Sequence, residues 1–317
     1  MQSALLSLVV PFYNEELSID HFFPSVFAVL DTLQDLRCEI VCVNDGSTDA
    51  TLAKLIAAAA HDTRVRVVDL SRNFGKEPAL TAGLDEARGD IVIPFDADLQ
   101  DPPEVIVQLV EKWREGFEVV VARRIDRTSD TMLKRKSAAG FYRLHNKLAE
   151  VKIPENVGDF RLMTRDVVEA IKTLPESRRF MKGLFAWVGF RTAEVTYARA
   201  PRVAGDSKFS GWKLWNFALE GFTSFSTLPL RVWFYVGISI SLLSFIYAVF
   251  LVVRTLVHGV DVPGYASLLG SVLFLSGVQL MGIGIIGEYI GRIYVESKRR
   301  PVYLIRARYG KDGQERP

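Results

Sequence analysis

Cysteine is scarce in this chain. Of its 317 residues only Cys38 and Cys42 are cysteines. With Glu39-Ile40-Val41 between them on an apparent strand, they have neither the spacing of a zinc site nor the setting of a disulfide, and read as reduced core residues. Net charge is nearly absent as well: 39 Lys and Arg against 37 Asp and Glu leave +2. The basic residues gather near the apolar C-terminal segments instead of forming a basic domain, so no nucleic-acid partner is expected. Also missing is a basic n-region followed by an apolar h-region, because Met1-Gln2-Ser3-Ala4 runs straight into a strand-like stretch. No secretory signal is expected, and the globular part should stay in the cytoplasm.

Two stretches lack charge altogether. Val232 to Val253 contains no charged residue, and as a helix it would be about 33 Å long against a hydrocarbon core of about 30 Å. A second run extends from Pro263 to Gly287. They explain why the mean hydropathy is positive although 24% of residues are charged: a charged globular part precedes an apolar hairpin. Lys213 and Arg231 lie before the first run, and Arg292, Lys298, Arg299 and Arg300 follow the second. The connecting loop offers Arg254 and His258 against Asp261. The excess of basic residues marks the cytoplasmic side, so the expectation is a multi-pass protein of the cytoplasmic (inner) membrane with both termini inside.

The expected organisation is therefore a globular domain over 1–205, juxtamembrane amphipathic helices over 206–230, and two membrane helices within 231–291, at about 232–256 and 264–288. A basic cytoplasmic tail should fill 292–317. Trp212, Trp215 and Lys213 among Leu214, Phe217, Leu219, Phe222 and Phe225 suit an interfacial helix at headgroup height; a plain core helix is the other reading. Lys134-Arg135-Lys136 reads as a solvated helix face or a lipid-headgroup contact. Gly287-xxx-Gly291 permits close helix contact, within the hairpin or between copies in a homo-oligomer.

The first 125 residues alternate short apolar runs with helix-like segments. Strand-like runs fall at Leu5 to Phe12, Glu39 to Val43, Val65 to Leu70, Ile91 to Phe95 and Phe117 to Ala122. Helix-like segments fall at Glu15 to Leu36, at Ala50 to Ala60, before Arg88 and after Pro102-Pro103. This alternation predicts an α/β fold with a mostly parallel, Rossmann-like sheet covered on both faces. Ligands in such sheets bind outside the carboxyl ends of the strands. Those ends read Tyr13-Asn14-Glu15, Asn44-Asp45-Gly46-Ser47, Ser71-Arg72-Asn73 and Asp96-Ala97-Asp98-Leu99-Gln100. Asp-Gly-Ser alone is an ordinary turn. Asp96 and Asp98, one residue apart at the end of an apolar run, should share a face and suit a hard divalent cation such as Mg²⁺ or Mn²⁺.

These segments resemble the inverting, GT-A-fold family 2 glycosyltransferases, in particular the polyisoprenyl-phosphate branch with its bactoprenol glucosyltransferases and dolichol-phosphate mannose synthases. The matching residues are Val10-Pro11-Phe12-Tyr13-Asn14-Glu15, Asn44-Asp45-Gly46-Ser47, Asp96-Ala97-Asp98-Leu99-Gln100-Asp101-Pro102-Pro103, Gly158-Asp159-Phe160-Arg161-Leu162-Met163, Ser207-Lys208-Phe209 and Gly287-Glu288-Tyr289-Ile290-Gly291-Arg292. The resemblance implies that Pro11, Tyr13, Glu15 and Asp45 hold the nucleobase and ribose, with Asp45 accepting the imide N–H of a uracil although Asn44 stands where many members have an acid. It also implies that Asp96, Asp98 and Gln100 hold the metal and donor diphosphate, and that Asp159 stands where the family places a catalytic base. The Gln-x-x-Arg-Trp motif of processive relatives is missing, which implies one sugar per turnover.

A phosphate acceptor with a second pKa near 6 is largely ionised at cytoplasmic pH and needs little help from a base. Two anions must share one cleft, so fixed cations are needed. Arg161, two residues beyond Asp159 on the same strand face, is the candidate for the donor diphosphate or sugar; Arg123, Arg202 and Lys208 are the candidates for the acceptor phosphate. The expected reaction moves one hexose, foremost glucose, from a UDP-sugar to undecaprenyl or another polyprenyl phosphate. The alternatives are a GDP-mannose enzyme of the same branch and a non-catalytic membrane scaffold.

Overall fold

The computed structural model describes residues 3–125, 157–176, 179, 181–198, 228–258, 264–310 and 313–315. Strands β1 (Leu5–Phe12), β2 (Arg37–Asn44), β3 (Val65–Leu70) and β4 (Ile91–Pro94) alternate with helices α1 (Ile19–Leu30), α2 (Thr51–His61), α3 (Lys76–Glu86) and α4 (Val105–Arg114). Then come β5 (Val119–Arg124), β6 (Val157–Thr164), α5 (Arg165–Lys172), α6 (Met181–Trp187) and β7 (Thr192–Tyr197). Two long helices, α7 (Leu228–His258) and α8 (Tyr265–Ser297), precede β8 (Ile305–Gly310) and β9 (Gly313–Glu315).

The strands form one nine-stranded sheet in the order β7-β5-β6-β4-β1-β2-β3-β8-β9. Its centre is parallel: β1 lies between β2 and β4, and β3 joins β2. The central strands are apolar on both faces because helices cover both; Leu6, Leu8, Val9 and Val10 of β1 are all fully buried. β6 runs antiparallel between β4 and β5, so its beginning, at Gly158-Asp159, lies at the edge where the parallel strands end. Helix α1 is shorter than the expected Glu15 to Leu36. Residues 13–18 fold into a loop, and the helix stops at Leu30 ahead of Asp31-Thr32.

Aromatic packing sets the height of that edge. The ring of Phe95, just past β4, meets Phe160 of β6 edge to face at 5.2 Å, and Phe160 meets Tyr197 of β7 at 5.9 Å. Such contacts add to the burial of large rings, and here they pin the residues beside them, Asp96 and Asp159, to neighbouring strand ends.

Two features mark the described part of the C-terminal region. First, the 292–317 tail does not simply trail away: β8 pairs antiparallel with β3, from Val67↔Tyr309 to Leu70↔Ile305. Tyr303 donates a hydrogen bond to Asp85 at 2.7 Å, and Arg308 bonds both oxygens of Glu86. Tyr309 packs with the apolar cluster that holds Val67 and Ile305 with the one that holds Leu70, the register shifting between Asp69 and Leu70. Second, among the described residues one stretch is long and apolar enough to cross a membrane, Phe274–Ser297, whereas Trp233–Tyr247 is a shorter apolar stretch. Both helices expose large apolar side chains, among them Phe234, Leu243 and Phe274, each more than 60% accessible. The two helices meet where the indole of Trp233 lies against Gly282, a spot with no room for a Cβ; Gly287 and Gly291 meet no other described atoms. The expected interfacial helix (212–225) and Lys134-Arg135-Lys136 lie outside the described residues.

Candidate active site

The loops at the carboxyl ends of β1, β2 and β3 are tied together by polar groups. Asn14, at φ 53°, takes a conformation that asparagine tolerates better than most residues. Its N–H donates to Ser47 Oγ at 3.1 Å, and its Oδ1 accepts the Thr48 N–H at 2.9 Å. Gly46, at φ 63°, lies so close to the backbone of Arg72 and Asn73 that a Cβ would collide with it. Asn44 is buried; its side chain donates to Asp69 at 2.7 Å and accepts the Ser47 N–H at 3.3 Å. Glu15 accepts the Ser18 hydroxyl at 2.6 Å. Pro11 is partly exposed and Tyr13 exposed at the mouth of these loops.

Asp45, which the resemblance places at the nucleobase, also ties two loops together. It is 3% exposed, and its two oxygens accept the backbone N–H groups of Phe74 at 2.7 Å and Gly75 at 2.9 Å. Burial raises its pKa and those two amides pull it back. Each carboxylate oxygen thus accepts one amide of the β3–α3 loop and keeps a further lone pair with which to accept another donor.

What Asp45 holds is the approach to Lys76, a residue missing from the expected set. Gly75 at φ 104° turns the chain into α3, and Lys76 is that helix's first residue. Its ammonium lies 2.7 Å from Asp96 Oδ1, 3.0 Å from Asp96 Oδ2 and 2.9 Å from Asp159 Oδ2. Partial burial works against this charge, but Asp96 and then Asp159 hold its pKa above the usual lysine value. Burial likewise opposes charge on Asp159, yet Lys76 and then Lys182 keep its pKa below the usual carboxylate range. Asp159 Oδ1 is buried without a hydrogen-bond partner. Next to Lys76, Glu77 Oε2 accepts the Met181 N–H at 3.3 Å, and burial, followed by the charge of Asp159, pushes its pKa up to about 8. A lysine in a helix's first turn opposes the helix dipole; that misfit was the available sequence signal for Lys76.

The acidic pair itself sits on a turn. β4 ends at Pro94, two residues before Asp96, and Leu99 at φ 52° reverses the chain. Strand alternation therefore does not orient Asp96 and Asp98; the turn does, with Asp98 Oδ1 accepting the Gln100 N–H at 3.2 Å. Gln100 is buried, and its place in a metal set rests on the resemblance alone. The turn is braced by Asp101, which accepts the Tyr197 hydroxyl at 2.5 Å and lies 3.4 Å from Arg124. Arg124 in turn donates to the Tyr197 oxygen at 3.0 Å. Its neighbour Arg123, expected at the acceptor phosphate, is paired with Glu194 at 3.1 Å, both half-exposed; alternation along β5 turns it to the opposite face from Arg124.

Arg161 shares the face of Asp159 but lies deeper, 6% exposed. Its guanidinium stacks on Phe185 at 4.0 Å and donates to the Gly158 carbonyl at 2.8 Å. Burial lowers its pKa to about 10. It is an internal counter-charge to Asp159, with its Nε buried and unpartnered. Arg202 and Lys208 lie outside the described residues. The structure thus unites Asp96 and Asp159 through Lys76, with Arg161 beneath, and turns Arg123 to another partner. Both cysteines are free, Cys42 fully buried and Cys38 partly so.

Carboxylates are suitable donors for Mg²⁺ or Mn²⁺, and Asp96 already receives a cation on both oxygens. Among the described residues no three His, Cys, Asp or Glu side chains converge on one point. Mg²⁺ is commonly held by one or two carboxylates, with the remaining ligands coming from substrate phosphates and water.

The model of glycosyl transferase family 2 matches residues 7–172, and that of the GtrB C-terminal hairpin matches 228–293. The bactoprenol glucosyl transferase of Shigella phage SfV is 58% identical over 301 residues, covering 95% of this chain and 98% of that protein. A prophage bactoprenol glucosyl transferase homolog of Escherichia coli K12 is 56% identical, again over 95% and 98%. An uncharacterized glycosyltransferase of Synechocystis is 56% identical over 96% of each chain. Glucosyl-3-phosphoglycerate synthase from Mycobacterium tuberculosis, crystallised with Mn²⁺, UDP and phosphoglyceric acid, is 24% identical with a TM-score of 0.46, over 64% of this chain and 72% of that one. At that level of likeness the Mn²⁺ stays a property of that protein. The near-full-length identities and the two family matches are decisive: this chain is a glycosyltransferase of family 2 that carries a hairpin of the GtrB type.

Proposed function

We propose that the protein transfers one glucose from UDP-glucose to a polyprenyl phosphate, undecaprenyl phosphate in a bacterial membrane, with inversion at the anomeric carbon. The observation that carries this reading is the extent of the likeness to bactoprenol glucosyl transferases, 58% identical over 301 residues, a length that takes in both the acidic cluster and the apolar hairpin. One chain thereby joins a diphosphate site to a lipid anchor. A multi-pass topology with both termini in the cytoplasm accompanies it, since the basic flanks of the apolar runs mark the inner side.

In this reading Tyr13, Pro11 and Glu15 face the nucleoside, and Asp45 fixes the loop that carries Lys76. Asp96 and Asp98 would hold Mg²⁺ or Mn²⁺, a Lewis acid that offsets the charge on the departing diphosphate. An oxygen of the lipid phosphate attacks the anomeric carbon. The bond from that carbon to the UDP oxygen breaks, and UDP leaves with the electron pair. Asp159, ionised and buried between Lys76 and Arg161, orients the donor sugar or the acceptor; the acceptor's own ionisation makes a strong base unnecessary. Arg202 and Lys208, with Arg123 released from its exposed pair with Glu194, gather the acceptor phosphate.

The test is transfer of label by the full chain in detergent or liposomes, with Mn²⁺ or Mg²⁺ and undecaprenyl phosphate, from UDP-glucose and GDP-mannose in parallel. Glucose transfer is expected from UDP-glucose, with a loss of about 100-fold or more in Asp98→Ala and within about tenfold in Asp159→Asn. Transfer from GDP-mannose alone would replace the donor. No transfer from either donor would remove the enzymatic reading of this site.

A further inference from the structure

We propose that Lys76 is a positioning residue that competes with the divalent cation for Asp96, so that cation and nucleoside diphosphate bind as a coupled pair; the diphosphate half of this statement rests on the function proposed above. The geometry is specific. One ammonium bridges Asp96 and Asp159 at 2.7 to 3.0 Å, touching both oxygens of the carboxylate that would also receive the metal. Two cations sharing one carboxylate repel each other strongly at such distances, unless an anion lies between them.

The ammonium is also able to move. Lys76 is half-exposed, at 48% of its side chain, and a lysine is a point charge on a flexible stem. Arg161, a second cation near Asp159, is locked against Phe185 and the Gly158 carbonyl and cannot exchange partners in this way. The backbone under Lys76 is fixed by Gly75 and by Asp45, which accepts the amides of residues 74 and 75, so movement is confined to the side chain. A nucleoside diphosphate brings the anion that resolves the competition. Its oxygens would pair with the ammonium and supply ligands to the cation, leaving Asp96 free to hold the metal in place of the lysine. By linkage, the diphosphate then tightens the cation and the cation tightens the diphosphate by the same factor.

Direct binding to the purified full chain tests this, using the Mn²⁺ resonance signal with and without UDP. Wild type is expected to bind Mn²⁺ weakly alone and at least about tenfold more tightly with saturating UDP, a typical coupling. Lys76→Met should bind Mn²⁺ alone about tenfold more tightly than wild type, with the UDP effect largely gone, and Lys76→Arg should stay near wild type. Mn²⁺ binding to Lys76→Met that is no tighter than to wild type overturns the proposal. So does wild-type Mn²⁺ binding left unchanged by UDP that calorimetry shows to be bound, a result that needs no variant to fold. If UDP binds in neither state while Lys76→Met still tightens Mn²⁺, the competition is upheld and the UDP-glucose reading is the part that fails.

Discussion

The two ends of the sheet both carry buried charge, and they use it in opposite ways. At the amino ends of the strands, Glu39 of β2 accepts the Ser7 hydroxyl and the Arg88 N–H on one oxygen and Arg66 on the other. Arg66 also reaches Glu86, which takes Arg308 from β8. Ser7 closes the ring by accepting the Gly89 N–H at 2.7 Å. At the carboxyl ends two acids share one half-exposed ammonium, and Asp159 Oδ1 and Arg161 Nε are left without partners. A saturated network fixes a structure, whereas an unsaturated one keeps capacity for a ligand.

The contrast is sharpest at Glu39. Glu39→Ala would strand Arg66 and Ser7 in the interior, and the expected loss is about 3 to 5 kcal/mol of stability, seen as a lowered midpoint in thermal or denaturant unfolding. Specific activity per folded molecule should hold. An equal loss of stability from Asp98→Ala, on its partly exposed turn, would erase the distinction between the two ends.

Glu77 offers a smaller, pH-dependent test. Its folded pKa of about 8 stands above the ordinary 4.5, so the folded state holds the proton more tightly than the unfolded state. The group's contribution therefore falls as pH rises from 4.5 towards 8 and levels off beyond. Glu77→Gln should remove that decline, so its melting temperature, compared with wild type from pH 5 to 9, gains most at the alkaline end. A parallel pair of curves would show that Glu77 is ordinary. The smallest effect belongs to the closed side: Tyr303→Phe deletes one hydrogen bond to Asp85 and should cost about 1 kcal/mol, read as a shift in the same unfolding midpoint with transfer unchanged.

The parallel core was legible in the sequence because its strands are buried on both faces and its helices are periodic, so local pattern and tertiary fate agree. The clustering of polar residues at the strand ends followed from that topology. Lys76 was not legible as a site residue, since its meaning depends on β6 running antiparallel and bringing Asp159 beside Asp96, a juxtaposition 63 positions apart in sequence. The loop-bracing part of Asp45 was hidden for a related reason: an acid at a strand end serves a ligand or a loop with the same residue type, and the amides of Phe74 and Gly75 that it accepts come from another loop. Arg123 and Arg124 differ by one position, and register alone tells which of them braces the acidic turn. β8 was hidden because a short basic segment after an apolar hairpin carries no sign of which edge it will pair with.

The place of β8 also orders the protein's birth. The ribosome releases β1 to β7 first and the hairpin next, so the strand that covers the outer edge of β3 arrives last. Until then β3 presents unpaired N–H and C=O groups, a template for joining other chains. Domains usually complete themselves as they emerge; this one is finished only after its hairpin has been made, so a transcript cut short within the hairpin yields a sheet with an open edge and no finished enzyme.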